Sequence, residues 1–324
     1  MNFPKVSIAH LPTRIDFLPR LSAALAGPQI YCKRDDQTGL GFGGNKTRKL
    51  EYLLAEAQAN QAKTLMSVGA IQSNHCRQVA ALAARCGYDC ILVLSGAAPK
   101  LASGNLLLDT LFGAEIIWAQ RDNRQQVFDE AFHQAETAGR KPYKIPYGGS
   151  SMTGMMGYVE AMQELAAAGE HFDWIVTASS SGGTQSGMIL GAALTGFSGK
   201  ILGICIEGSA QELKGIISGL IAEGTRELGI NLTLTEENLL VDDHYIGGGY
   251  SVMDTPEIEA IKLFASTEGL LLDPVYTGRA AAGLIDLTRK GFFKPTDKSS
   301  FGILAVHRHC LQNLILLCCN NKCS

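Results

Sequence analysis

No window of this 324-residue chain reaches 18 consecutive apolar residues, so it offers no membrane-spanning helix. Its net charge of −3 lacks the basic surplus with which nucleic-acid binders meet phosphate, so neither nucleic acid nor membrane is expected as a partner. The start, Met1-Asn2-Phe3-Pro4-Lys5-Val6, has no basic region, long apolar core or small-residue cleavage site, and a cytoplasmic protein is expected. Low-complexity linkers and internal repeats are absent as well. Cysteine is present nine times but without a disulfide pattern: Cys310, Cys318, Cys319 and Cys323 crowd into the last fifteen residues, and the others sit singly in apolar runs. Cys86 and Cys90 have a metal-like spacing but no matching second pair, which favours buried thiols and no metal.

With 46% hydrophobic and 18% charged residues, the chain is globular and long enough for two domains or one large one. Residues 1–45 read as an entry segment, in which Pro12-Thr13 and Pro19 mark turns and Ile30-Tyr31-Cys32-Lys33 is a short strand. A regular alternation follows. A helix over 46–60 leads to a strand at Thr64–Val68, a helix over 74–86 and a strand at Cys90–Leu94. Further strands are expected near Ala114–Trp118, Tyr143–Pro146, Trp174–Ala178 and Ile201–Ile206, with helices over 153–168, 210–228 and 255–268. Strand and helix in alternation predict an α/β fold with open, twisted, mostly parallel sheets and helices on both faces.

Two stretches stand out. Gly43-Gly44-Asn45-Lys46 joins a tight turn to a helix start and places one lysine just inside it, ahead of the apolar stripe Leu50, Leu53, Leu54 and Ala57. Spacing alone leaves Lys46 either a solvated lysine or an active-site amine. Two nucleotide motifs fail here. Asn45 stands where a phosphate loop needs glycine, and no acidic residue lies between Glu56 and Asp89 to complete the dinucleotide fingerprint of Gly39–Gly44. The second stretch, Ser179–Gly187, runs from a buried strand into a helix. Its small and hydroxyl residues suit a phosphate dianion better than an idle loop. An amine and a phosphate loop together suit an aldehyde cofactor with a phosphate handle, pyridoxal 5'-phosphate.

Five motifs then carry a resemblance: Lys33-Arg34-Asp35-Asp36, Gly43–Glu51, Gly69–His75, Gly182-Gly183-Thr184 and Leu272–Gly278. Over roughly residues 10–298 the chain resembles the second fold type of pyridoxal-phosphate enzymes, the tryptophan synthase beta-like fold. Within it the chain is similar to the D-cysteine desulfhydrase and 1-aminocyclopropane-1-carboxylate deaminase group. The resemblance implies a large domain (1–46 and 156–324), a small α/β domain (47–155), the cofactor between them, and a homodimer. It further implies that Lys46 binds the cofactor covalently and takes the substrate α-proton, and that Asn74 meets the cofactor's phenolic oxygen. Gln72 and Ser73 would line the substrate carboxylate site, Ser181, Gly182, Gly183 and Thr184 would hold the phosphate, Tyr250 and Tyr276 would face the substrate, and Thr277 would meet the pyridine nitrogen.

Deaminases of the group resemble Tyr-Glu where this chain has Tyr276-Thr277, and a hydroxyl there suits β-elimination of a good leaving group. The implied reaction is conversion of D-cysteine to pyruvate, hydrosulfide and ammonia. The alternatives are an L-cysteate sulfo-lyase, which 36–49 also resembles, the deaminase that Thr277 disfavours, and a catalytically impaired cofactor-binding protein. That last alternative comes from the tail. Family members continue with apolar residues and a His-Thr-Gly-Gly turn, which Ser299–Asn313 lacks. Codons chosen for Phe301–Asn313 and read two bases later encode Trp-His-Thr-Gly-Gly-Thr-Pro-Ala-Leu-Phe-Ala-Lys, so a frameshift is expected between about Pro295 and Ser299, making 299–324 a shifted tail that loses the final strand.

Overall fold

Short apolar runs form the strands, because a parallel strand covered on both faces needs no polar alternation. The structure is a computed structural model that describes residues 3–250 and 252–302. It begins with β1 (Ile15–Phe17), α1 (Pro19–Leu25) and β2 (Gln29–Lys33), followed by α2 (Lys46–Ala59). A four-stranded parallel sheet comes next, ordered β5-β4-β3-β6. It is built from β3 (Thr64–Ala70), α3 (Asn74–Cys86), β4 (Asp89–Ser95), α4 (Gly104–Leu111), β5 (Glu115–Ala119), α5 (Arg124–Thr137) and β6 (Pro142–Lys144). Alternate residues of its strands serve opposite faces. Leu65, Leu92 and Leu94 pack with Leu50, Leu53 and Val79 from α2 and α3, while Met66, Val68, Ile91 and Val93 pack with Phe128 and Ala131 of α5.

The remaining elements are α6 (Met152–Ala167), β7 (Trp174–Ser179), α7 (Gly183–Thr195), β8 (Lys200–Cys205), α8 (Ala210–Leu228), β9 (Leu240–Asp242), α9 (Thr255–Glu268), α10 (Thr277–Arg289) and β10 (Lys298–Gly302). With the opening strands they form a six-stranded sheet, β1-β2-β10-β7-β8-β9, in which β1 alone runs antiparallel to its neighbour. Its core, around Ile30, Val176, Ile204, Phe264 and Leu284, is separate from that of the smaller sheet.

The Lys33-Arg34-Asp35-Asp36 motif proves to be a structural tie. Buried Arg48 of α2 donates to Asp35 Oδ1 (2.8 Å) and to Glu164 Oε2 of α6 (2.9 Å), and Tyr158 Oη donates to Asp35 Oδ2 (2.6 Å). Lys33 pairs with the same Glu164. Burial opposes the charge on Asp35, but Arg48, Lys33 and the Tyr158 hydroxyl together outweigh it and hold the carboxyl below its ordinary range. The entry strands, α2 and α6 are thereby locked together beneath the Lys46 turn.

Two expectations need correction. Pro19 is not a turn but the first residue of α1, where its missing N–H costs nothing and its fixed φ suits the helix. The final strand is not lost: Lys298–Gly302 forms β10, inserted between β2 and β7 in the centre of the larger sheet. There Ser299 pairs with Ile30 and Trp174 and is buried, and its Oγ has no hydrogen-bond partner among the described residues. The rest of the expected shifted tail, 303–324, with its four cysteines, lies outside the described residues. Among the described residues, Cys76, Cys86, Cys90 and Cys205 form no disulfide.

Candidate active site

The carboxyl ends of β3 and β7 face each other across a crevice, the place where open α/β sheets bind ligands. A cavity lies there, walled by Lys46, Ser73, Asn74, His75 and Tyr147 on one side and by Ser179–Gly182, Thr184, Tyr250 and Tyr276 on the other. Of the lining side chains, one is a lysine and none is a carboxylate.

Lys46 opens α2 directly after a loop that must turn tightly. Gly43 takes φ +71°, and a Cβ on it would lie 2.0 Å from the Asp36 carbonyl oxygen. Arg77 and Gln78 of α3 both donate to the Gly43 carbonyl (3.0 and 2.7 Å), fixing the turn from behind. Burial pushes the Lys46 amine down to about 8, so a useful fraction is unprotonated near neutrality. Space beside it is kept open by Gly148, whose φ is +63° and whose missing Cβ would lie 3.6 Å from Nζ and 2.3 Å from Ser181 Oγ.

Opposite Lys46, the N-terminus of α7 meets the turn Ser181-Gly182-Gly183-Thr184. Gly182 takes φ +77°, which aims backbone N–H groups and the positive end of α7 into the crevice. Ser181 Oγ lies 2.7 Å from Ser150 Oγ, Gly183 N donates to Ser150 Oγ (3.2 Å), and Asn45 Nδ2 donates to Thr184 Oγ1 (3.1 Å), linking this turn to the lysine loop. Lys49 was not singled out by sequence. One turn beyond Lys46 on the same helix face, it donates from Nζ to the Gly148 carbonyl (3.2 Å) and Ser150 Oγ (3.4 Å). Burial, and then Lys46, hold its amine well below the ordinary lysine range. The signal was available in the i, i+3 spacing.

Ser73 caps α3, its Oγ accepting from Cys76 N (3.2 Å), and both it and Asn74 face the cavity. Asn105 Nδ2 donates to Asn74 Oδ1 (3.3 Å), which leaves the Asn74 amide nitrogen as its donor. Gln72 behaves differently: its side chain turns away to bond the Ser103 carbonyl (3.1 Å) and Asn105 N (2.8 Å), so it braces α4 and does not line the cavity. His75, also missed by sequence reasoning, lines the wall with Nε2 2.9 Å from Ser67 Oγ, and burial followed by the two lysines keeps it neutral.

Tyr250 and Tyr276 meet with hydroxyls 2.9 Å apart, and burial raises both phenols so that they stay protonated. Arg279 holds the Tyr250 loop from below, donating to the carbonyls of Gly249 (3.1 Å), Val252 (2.8 Å) and Ile206 (2.8 Å) while paired with buried Glu257. Thr277, expected at the pyridine nitrogen, is fully buried outside the cavity lining. Its hydroxyl donates to Asp273 Oδ2 (2.7 Å), and the same side chain also accepts from the backbone N–H groups of Tyr276 and Thr277 at the start of α10.

A cofactor with an aldehyde at one end and a phosphate at the other uses both walls, and the donor set fits pyridoxal 5'-phosphate: an amine of lowered pKa, a helix N-terminus rimmed by hydroxyls, and an open space where the Gly148 Cβ would stand. The fold and crevice are those of a pyridoxal-phosphate-dependent lyase. The chain belongs to the family described as pyridoxal-phosphate dependent enzymes, which it matches over residues 6–302. It is 42% identical to a D-cysteine desulfhydrase of Salmonella paratyphi B, covering 95% of this chain and 98% of that protein. It is 37% identical to a 1-aminocyclopropane-1-carboxylate deaminase of Rhizobium leguminosarum bv. viciae, with 92% of each covered. The crystal structure of a protein described as an ACC deaminase homologue superposes with a TM-score of 0.89 at 36% identity, over 97% of this chain and 96% of the other. A fungal L-serine ammonia-lyase from Rhizomucor miehei shares the fold, with a TM-score of 0.69 at 16% identity over 95% of this chain and 98% of that one.

Proposed function

We propose that the protein is a cytoplasmic enzyme that converts D-cysteine and water to pyruvate, hydrosulfide and ammonia by β-elimination. The observation that carries this reading is the charge of the cavity wall: one amine and no carboxylate. A carboxylate at the pyridine nitrogen would favour the stronger electron sink of a deaminase, and a second cation would be wanted for the sulfonate of L-cysteate. The wall supplies neither. The argument first attached to Thr277 therefore rests on the whole lining. Bound pyridoxal phosphate supplies an electron sink for the pair left at Cα when its proton is removed.

Lys46, free at about pH 8, is placed to take that proton. Ser73 and Asn74 offer donors for the substrate carboxylate and the cofactor's phenolic oxygen, and the turn Ser181–Thr184 with Lys49 behind it receives the phosphate. The protonated phenols of Tyr250 and Tyr276 face the sulfur, which departs from Cβ with the C–S electron pair. Exposed Leu101, Leu107 and Leu111 on and before α4 form an apolar strip that supports a homodimer. The two-domain division at 46/47 and 155/156 and the shifted reading frame from about residue 299 belong to the same proposal. Turnover is measured on D-cysteine, L-cysteate and 1-aminocyclopropane-1-carboxylate. Release of hydrosulfide from D-cysteine with a kcat/KM at least about tenfold above the other two is expected. A preference for L-cysteate would refute the charge argument, and no turnover with cofactor bound would point to the impaired tail.

A further inference from the structure

The mouth of the crevice is crossed by a side chain that the reaction above does not use. Tyr147 follows β6 on the smaller sheet. Its ring walls three spaces at once: the active-site cavity, a groove beside Phe128 and Met152, and a groove beside Glu207 and Ile216. Its hydroxyl donates to Glu207 Oε1 (3.3 Å), just beyond β8 on the larger sheet, so the contact bridges the two halves over the cavity. Ser180 Oγ donates to the same oxygen (3.3 Å), Arg121 Nη2 holds Glu207 Oε2 (2.9 Å), and the Arg124 guanidinium lies 4.8 Å above the Tyr147 ring.

These are weak restraints beside those on the inner wall. A hydroxyl contact of 3.3 Å is longer than the usual 2.5–3.0 Å, and Arg121 is 75% exposed, so its ion pair is screened. The backbone after Tyr147 is built to turn: Gly148 and Gly149 take φ +63° and +62°. A bulky ring at the start of a glycine turn, latched by one solvent-accessible carboxylate, stands between the inner cavity and the outer grooves.

We infer that Tyr147, latched to Glu207, sets the size limit of the site, admitting amino acids with a small group on Cβ and rejecting bulky thioethers. This rests on the proposed β-elimination for the identity of the substrate, but the barrier itself can be read without any substrate. Holoenzyme is treated with hydroxylamine and, separately, with O-benzylhydroxylamine, both of which displace Lys46 from the cofactor with a change in absorbance. In Tyr147→Ala the rate with the bulky reagent, relative to the small one, should rise about tenfold or more, the scale on which pocket sterics discriminate. Glu207→Gln, which keeps the ring but weakens its latch, should raise the ratio by about threefold. An unchanged ratio in both variants overturns the inference. Should Tyr147→Ala fail to retain cofactor, Glu207→Gln and Arg121→Gln decide it, and an unchanged ratio in that pair overturns it equally. A protein inert toward D-cysteine whose ratio still shifts keeps the size limit and loses only the substrate assignment.

Discussion

The lowered pKa of Lys46 allows a measurement in which pH is the perturbation. An ordinary lysine at 10.5 is unprotonated in about one molecule in three thousand at pH 7, whereas an amine held down to about 8 is unprotonated in about one in ten. Capture of pyridoxal phosphate by the cofactor-free protein requires the free amine. Its rate should therefore climb about tenfold per pH unit below 8 and level off above it. Stopped-flow absorbance with Lys46→Ala as the blank reads this directly. The same shift sets the sign of a stability effect. Between about pH 8 and 10.5 the unfolded chain holds a proton on residue 46 that the folded chain does not, so rising pH stabilises the cofactor-free fold through that window. Lys46→Met should accordingly be more stable than the parent at pH 7, by a margin that shrinks toward pH 10.5. A capture rate still rising steeply at pH 10, or a Lys46→Met margin that does not vary with pH, would refute burial as the source of the reactive amine.

Two further outcomes are expected. Ser299→Ala removes the buried, unpartnered hydroxyl from the central strand and should stabilise the protein by about 1 kcal/mol, raising Tm by about 2 °C; an unchanged or lower Tm in calorimetry counts against it. Lys49→Met deletes the amine behind Ser150 and should weaken cofactor binding about tenfold in equilibrium dialysis while leaving capture at Lys46 possible, so an unaltered Kd would show that Lys49 serves packing alone.

The strands with uninterrupted apolar runs, such as Leu65-Met66 and Ile91–Leu94, were legible because burial on both faces demands that composition. The helix at about 74–86 was legible, and the structure adds Ser73 as its cap and Gly87 as its stop. β10 was not, since Lys-Ser-Ser-Phe-Gly carries neither an apolar run nor alternation, and only its place between β2 and β7 makes it a strand. In the site, Lys46 and the Ser181–Thr184 turn stand out locally, because glycine and hydroxyl density mark them. Gln72 shows the limit of motif reading: it adjoins a cavity residue, yet its side chain is committed to α4. Tyr147 gave no local signal, because its significance lies in a partner sixty residues further on.

The position of β10 also sets an order of assembly. All pairings of the four-stranded sheet fall within residues 64–144, so a chain emerging from the ribosome can close that sheet early. β2 cannot: its parallel neighbour is Lys298–Gly302, and until that stretch is made one edge of β2 has no sheet partner. Tyr250 and Tyr276 arrive late as well. During synthesis the nascent chain thus carries Lys46 for most of its length without Tyr250 and Tyr276 on the opposite wall, and the crevice is completed only after both have been made.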